Sequence, residues 1–516
     1  MKGDFHVRFR ENLRVKLPWV TRLWPIRLKT MMLRKSTLSL ILFLLTKVSF
    51  GQADYKHSIG SLQQDFNILR GALEESHAGI YWYRTKAEMD KAFNAAYQSL
   101  NREMTELEYY RIVAPLISKI GCGHTWIGTT EPTQKKIWED GKVLPLKLKF
   151  IENEAYCLQN NSNDSTSIQR GDQILSINNY SIDSLLTLSS KFSWGDGFIE
   201  VGKWRLLDNV FNQFFTLFVG QPDEYLIKIK KVDGQVKEVV MQPLPLKDIE
   251  SISKRRYPDT KEKEVNNIDL SFIDNNSAAL LRVKEFSDWK INGKKIHFDN
   301  ELERCFRKVD SSKTKNLIID VRDNDGGNEK YGLLLFSYLT DKPFIGYKQI
   351  DFRSTHFSFR KYSNVGWLEY MAFRIMLRQK KINDSTYLLT NDKATSIHRP
   401  SENSFKGRLY VLTNRGSFST TSDFTALVHF NKRGTFVGEE TGGSYLGNTS
   451  NYTFLITLPN TKIKVNIPVA RYQNNVTPSN NFGRGTIPDH KIHYSIDDIT
   501  QGVDKEMETV LTLIKD

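Results

Sequence analysis

Cysteine is almost missing from this chain of 516 residues: Cys122, Cys157 and Cys305 stand far apart and in no metal-ligand spacing. An odd count leaves room for one bridge but excludes the disulfide frameworks that staple small secreted domains. Long apolar runs are scarce as well, and the run Leu38-Ser-Leu-Ile-Leu-Phe-Leu-Leu45 is too short to span a bilayer comfortably. No internal repeat or low-complexity tract breaks the pattern, which excludes solenoids and disordered scaffolds. Negative charge is in the minority, yet the formal +14 is local. Residues 1–51 hold 11 Lys/Arg against 2 Asp/Glu, a net of +9, which leaves +5 for the remainder. No basic stripe or RNA-binding aromatic signature lies beyond residue 51, so a nucleic-acid partner is not expected.

The basic start reads as a leader. Met31-Met-Leu-Arg-Lys35 is a positive n-region, Leu38–Leu45 is an apolar stretch of signal-peptide length, and Ser49-Phe-Gly-Gln52 supplies small residues for cleavage near Gly51 or Gln52. Translation then starts at Met31 or Met32, the mature chain is secreted or periplasmic, and only an uncleaved leader would hold it to a membrane.

Behind the leader, Leu62, Phe66, Leu69 and Leu73 fall on one helical face. Thr105-Glu-Leu-Glu108 has capping-box form, and Leu107, Tyr110, Val113 and Ile117 continue as a buried stripe that ends at Gly121-Cys-Gly-His-Thr125. Residues 52–140 are therefore expected as a helical N-terminal domain. Period-two alternation at Leu144, Leu146, Leu148 and Phe150, and a hairpin around Asp233-Gly234, predict a β-rich module over 141–246. Residues 247–267 are charged without apolar periodicity and are expected as a linker. From 268 to 516 apolar runs at Ala278–Val283, Asn316–Arg322, Leu409–Leu412 and Thr435–Val437 alternate with helical patterns at 329–339 and 420–431. That order predicts βα units around a partly parallel sheet.

Three small motifs could carry chemistry, and each alone has an ordinary structural reading. Gly123-His124-Thr125 holds a His that could equally be a satisfied core group. Asp320-Val-Arg-Asp-Asn-Asp-Gly-Gly327 turns from a strand into a helix, so its glycine N–H groups could face a developing oxyanion or merely shape a loop. It fits neither G-x-x-x-x-G-K nor G-x-G-x-x-G. Asn414-Arg-Gly-Ser-Phe-Ser-Thr-Thr-Ser-Asp423 places serines at a helix start, where they usually cap, and it lacks the G-x-S-x-G elbow.

Their order is more specific than any one of them. With His77-Ala-Gly-Ile-Tyr-Trp82, Gly438-Glu-Glu-Thr-Gly-Gly443 and Gly485-Thr-Ile-Pro-Asp489, the chain resembles the S41 family of serine peptidases, the tail-specific proteases and their tricorn-core relatives. Arg170-Gly-Asp-Gln-Ile-Leu-Ser-Ile-Asn178 looks like half of a PDZ-like domain. The resemblance implies a multidomain α/β fold with a crotonase/ClpP-like catalytic core, a helical N-terminal domain and a PDZ-like module. It also implies a serine-type endopeptidase acting on peptides or unfolded proteins, with the substrate C-terminus as an expected point of recognition, and with no metal and no cofactor.

In the family's tail-specific branch the nucleophile precedes a lysine base by 25 residues, and that count from Ser444 lands on Ser419. Ser444 occupies the lysine's place, so a Ser–Lys dyad is not available. By resemblance to the tricorn-like branch, His124 is the base and acid, and Gly326 or Gly327 with Thr420 forms the oxyanion hole. Ser417 and Ser422 are the lesser candidates for nucleophile. The group that orients His124 is left open among Ser444, Glu439, Glu440, Asp423 and Asp489, because Gly123 replaces the family's serine and no glutamate lies in Asn480–Asp489. That gap, with Asp323 and Asp325 replacing glycines of the family signature, motivates an alternative, a catalytically impaired binding protein on the same scaffold; an esterase is a third reading. Phe344–Lys381, rich in aromatics and Lys/Arg, is either a substrate-binding insertion or a helical excursion packing its own rings.

Overall fold

The computed structural model describes residues 54–192, 195–258, 266–273, 277–291, 293–377, 379–390, 392–477 and 481–515. The leader expected before Gln52 lies outside them. Helices α1 (Ile59–Ser76), α2 (Lys86–Gln98) and α3 (Glu106–Ile120) follow the apolar stripes of the sequence. At the start of α3 both hydrogen bonds of the Thr105–Glu108 capping box are made. Its end is fixed by Gly121 at φ +72°, where a side chain would be strained. That stop delivers Gly123-His124-Thr125 in a fixed direction.

The segment 52–140 is helical as expected, but among the described residues these helices share their core with later parts of the chain. Leu62, Phe66, Val113 and Ile117 join one continuous buried cluster with Ile127, Leu281, Phe424, Val465 and Ile467. An amphipathic stripe must be covered, and here strands from the far end of the chain help to cover it. Strand β1 (Trp126–Gly128) makes the link in hydrogen bonds as well, as shown below.

The next stretch is β-rich, as the alternation predicts. Strands β2 (Leu146–Ile151), β3 (Glu154–Asn160) and β4 (Gln173–Ile177), helices α4 (Ile182–Ser190) and α5 (Glu200–Phe218), and strands β5 (Tyr225–Lys230) and β6 (Val236–Met241) form one module. Its antiparallel sheet runs in the order β6-β5-β4-β3-β2. Leu148, Phe150, Ile174, Ile227, Phe211 and Phe215 close a core distinct from the first. The stretch expected as a linker from 247 is instead helical at its start. Helix α6 (Leu246–Arg256) buries Ile249 and Ile252, an i,i+3 pair too short a signal to stand out among charges.

The C-terminal part is built on two sheets. Strands β7 (Ile268–Ile273) and β8 (Ala278–Val283) are antiparallel, and helix α7 (Phe298–Ser312) follows. Next come β9 (Asn316–Asp320), α8 (Glu329–Ser337), β10 (Tyr347–Phe352), α9 (Trp367–Met376), β11 (Gln379–Asn383) and β12 (Thr386–Leu389). The chain closes with β13 (Arg408–Thr413), α10 (Thr420–Phe430), β14 (Thr435–Gly438), β15 (Gly447–Thr457), β16 (Lys464–Asn474), β17 (His490–Lys491) and α11 (Lys505–Lys515). The first sheet has the order β7-β8-β9-β13-β14-β17, parallel from β8 onward. Leu317 and Ile319 of β9 enter the large cluster, while Ile318 packs on the other face with Leu412, Val437 and Val510 of α11. Burial on both faces is what the unbroken apolar runs require. The second sheet runs β11-β12-β10-β16-β15, with β1 paired to β16.

Parallel strands in register put their carboxyl ends side by side. The turn after β9 (Asp323–Gly327), the turn after β13 (Asn414–Ser419) and the turn after β14 (Glu439–Gly443) therefore meet at one edge. In the region of 344–381, Phe352, Phe357, Phe359, Tyr370 and Phe373 are buried against Tyr452 and Phe454, while Trp367 is exposed. No helix among the described residues is long and apolar enough to cross a membrane.

Candidate active site

Ser419 is the last residue before α10 and takes φ 57° and ψ −127°, a left-handed backbone that a non-glycine residue enters at a cost of about 1–3 kcal/mol. It stands at the helix N-cap yet its side chain caps nothing. Instead its Oγ lies 3.0 Å from Nε2 of His124, across 295 positions of sequence. This is the strand–turn–helix geometry of a nucleophile elbow without the G-x-S-x-G sequence. Its neighbours are spent on structure. Ser417 Oγ donates to the Val321 carbonyl at 2.8 Å, and Ser422 Oγ donates to the Ser417 carbonyl at 3.0 Å; both are buried.

The His124 backbone is tied on both sides. Thr125 N donates to the Cys122 carbonyl at 3.1 Å, and Asn466 Nδ2 on β16 donates to the His124 carbonyl at 2.9 Å. Thr125 Oγ1 lies 2.7 Å from Nε2 of His77, whose Nδ1 accepts from Gly79 N at 3.1 Å. That acceptor role makes Nε2 the protonated nitrogen, and burial holds the His77 imidazole neutral by pushing its pKa down to about 3. His77 thus fixes the residue after His124. At Gly79 an added Cβ would fall 2.3 Å from Thr449 Oγ1, so a side chain there would push the buried Thr449 hydroxyl aside. The His124 ring stacks on Phe418, centroids 4.9 Å apart, and desolvation lowers its pKa to about 4, leaving it unprotonated at neutral pH.

The glycine turn after β9 lies against this pair. A Cβ at Gly326 would come within 2.8 Å of Ser419 Cβ and 2.9 Å of Thr420 N. Gly326 N, however, already donates to Asn324 Oδ1 at 2.9 Å, so of the two glycines expected as alternatives in the oxyanion hole Gly326 is the one already engaged. Gly327 is exposed, and among the described residues its N–H and that of Thr420 are left without a protein acceptor. Thr420 stands at the N-terminus of α10, where the helix dipole favours negative charge. Asp323, in place of a family glycine, keeps φ 57° because Asn414 Oδ1 accepts from its N–H at 2.9 Å. Asp325 pairs with Arg205 of α5 at 2.5 Å.

None of the five groups considered for orienting His124 makes a hydrogen bond to it. Glu440 accepts from Gly485 N and pairs with Arg484, Glu439 pairs with Arg415, and Asp489 accepts from Phe436 N at 2.8 Å. Ser444 Oγ accepts from the Tyr83 hydroxyl at 3.0 Å. Asp423 is buried on α10, accepts from Tyr347 and Asn448, and is pushed up by desolvation to about 7. The His124 Nδ1 is buried without a hydrogen-bond partner among the described residues.

The residue the sequence reading missed is Asp196, in Gly195-Asp-Gly197 just before α5. Its carboxylate accepts from Gly123 N at 2.7 Å and Ser444 N at 3.2 Å. The only available signal was its glycine flanks, which repeat the form of the His124 segment. Cys122, His124 and Asp196 bring potential metal-ligand atoms within 4.8 Å of one another. The Cys122 thiol donates to the Thr449 carbonyl and burial holds its pKa up at about 12, which favours the protonated form that does not bind metal.

Residues 277–492 match the family model described as Peptidase family S41. No curated protein matches the chain by sequence. Among solved structures, a crystal structure of a CPAF mutant is similar at TM-score 0.60 and 14% identity, covering 89% of this chain and 98% of that one. Mature CPAF complexed with lactacystin is similar at TM-score 0.58 and 16% identity, covering 89% and 99%. The matched region holds the Ser419 turn and both glycine-rich turns beside it, and residues 277–492 form a serine peptidase region of family S41.

Proposed function

We propose that Ser419 is the nucleophile and His124 the general base and acid of a secreted or periplasmic endopeptidase. The observation that carries this reading is the 3.0 Å approach of His124 Nε2 to Ser419 Oγ, with the serine free of any capping duty. Ser419 Oγ attacks the scissile carbonyl as His124 Nε2 takes its proton, and an Oγ–C bond forms. The carbonyl oxygen becomes an oxyanion that accepts from the N–H groups of Gly327 and Thr420. As the C–N bond breaks, His124 returns the proton to the leaving amine. Water then repeats the cycle on the acyl-enzyme, with His124 again taking and returning one proton.

The region from 268 to 516 is the catalytic core, of the crotonase/ClpP-like type. The module of β2 to β6 is a PDZ-like domain that takes an extended peptide by strand addition, and a substrate C-terminus is the natural end to enter such a groove. Three ties connect it to the catalytic turns: Arg205 to Asp325, Asp208 to Arg415 at 3.3 Å, and Arg415 to the Phe150 carbonyl at 3.2 Å.

The test is cleavage of an unfolded protein by the full chain and by Ser419→Ala and His124→Ala variants. Loss of turnover in both supports the assignment, and turnover surviving both overturns it. A panel of p-nitrophenyl esters run beside peptides separates peptidase from esterase preference.

A further inference from the structure

An imidazole that accepts a proton at Nε2 carries its other proton on Nδ1, and the imidazolium formed during attack needs a negative charge near that side. In this chain the Nδ1 of His124 is buried and unpartnered among the described residues. A buried donor in that state costs on the order of 1–3 kcal/mol, and more once it is charged. The five groups singled out from the sequence are committed elsewhere, as shown above.

One carboxylate is close. Asp196 is 2% exposed, and one of its oxygens lies within 4.8 Å of a His124 ring nitrogen. Nε2 faces Ser419, so Nδ1 is the nitrogen whose proton a carboxylate would stabilise. A separation of up to 4.8 Å closes to a direct hydrogen bond when ring and carboxylate together move by about 2 Å as the imidazolium forms. Asp196 also grips the backbone on either side of the pair, through Gly123 N before the histidine and Ser444 N on the turn after β14.

We infer that Asp196 is the positioning residue of His124, holding its loop and compensating the imidazolium in place of the glutamate that this sequence lacks. The inference rests on the Ser419–His124 reading and deepens it. Asp196 comes from the loop entering α5, the same helix whose Arg205 and Asp208 reach the other two catalytic turns. The groups facing the pair are Cys122, whose thiol is bound to the Thr449 carbonyl, Tyr83, whose hydroxyl is bound to Ser444, and Asp423 on α10; Arg471 lies behind Tyr83. Among the described residues Asp196 is the carboxylate that clusters with His124 and Cys122 within 4.8 Å. Burial raises Asp196 itself to about 6, so its charge is present at neutral pH and above.

The experiment follows labelling of Ser419 by a fluorophosphonate across pH in the full chain, its Asp196→Asn and Asp196→Glu variants, and a His124→Ala control. With Asp196→Asn, labelling at neutral pH slows by about tenfold or more, kcat falls with KM nearly constant, and the acid limb moves to lower pH because an anion beside the base is gone. Asp196→Glu restores part of the rate. A rate and limb unchanged in Asp196→Asn overturn the inference while the Ser–His reading stands. Equal labelling of wild type and His124→Ala overturns that reading instead. The wild-type chain gives a second readout that needs no Asp196 variant. A proton NMR resonance of His124 Nδ1–H shifted far downfield, and lost in His124→Gln, is expected. Its absence at low temperature, with His124 protonated, contradicts a carboxylate partner.

Discussion

Gly123 and Phe418 fit each other through a missing atom. A Cβ built on Gly123 would lie 2.6 Å from Cζ of Phe418, and the same ring stacks on the His124 imidazole at an interplanar angle of 28°. This explains why the residue before the base is glycine: the phenyl ring fills the space a serine would need. Gly123→Ala should displace the Phe418 ring, and His124 with it. Expected are a fall in kcat of about tenfold or more and a stability loss of about 1–3 kcal/mol from overpacking. Phe418→Leu in the same chain should recover part of the activity. Steady-state kinetics and thermal unfolding of the single and double variants check this.

His77 gives a pH prediction for stability. Burial depresses its pKa to about 3 against an ordinary value of 6.5, so between those limits the unfolded chain binds the proton that the folded chain refuses. Stability from this group is complete above pH 6.5 and is lost as pH falls toward 3. His77→Gln keeps a side chain able to reach Thr125 and does not titrate. Its unfolding free energy should depend less steeply on pH over that window, by a few kcal/mol in total. Denaturant melts at a series of pH values decide, and parallel curves for the two proteins would contradict the claim.

Asp423 should act with the opposite sign. Its carboxyl is raised to about 7 by desolvation, against hydrogen bonds from Tyr347 and Asn448 that favour the charged form. Here the folded chain holds the proton more tightly than the unfolded one, so this contribution to stability falls as pH rises from about 4 to 7. Asp423→Asn should flatten that fall, read in the same melts.

For catalysis, His124 must be unprotonated to accept the serine proton. Desolvation lowers its pKa to about 4, so activity should outlast the ordinary value of 6.5, fall in part as Asp196 takes its proton near pH 6, and vanish as pH approaches 4. A kcat/KM profile with its acid midpoint above 6.5 would contradict this.

Much of the site was legible because its parts lie on turns whose glycines have local causes. Gly326 and Gly327 hold φ of +102° and +134°, and the apolar strand before them requires burial on both faces. The resemblance to the tail-specific branch, with its 25-residue spacing, singled out Ser419, and the structure adds that Ser417 and Ser422 are buried in bonds to the backbone. What stayed hidden depends on long-range contact. Asp196 acts on Gly123 across 73 positions, and a lone buried carboxylate carries no periodicity. The choice between Gly326 and Gly327 for the oxyanion hole stayed open because it turns on an Asn side chain, two residues before Gly326, that takes the Gly326 N–H. The shared core of the N-terminal helices was equally invisible, since a helical stripe shows that it is buried but not against what.

The central claim is that Ser419 and His124 act as one unit. Its most direct measurement is peptide mapping of the full chain after a fluorophosphonate pulse at neutral pH, beside His124→Ala. A single adduct on Ser419, formed about a hundredfold or more slowly in His124→Ala, is the expected result. An adduct on Ser417 or Ser422, or equal rates in both proteins, would contradict it.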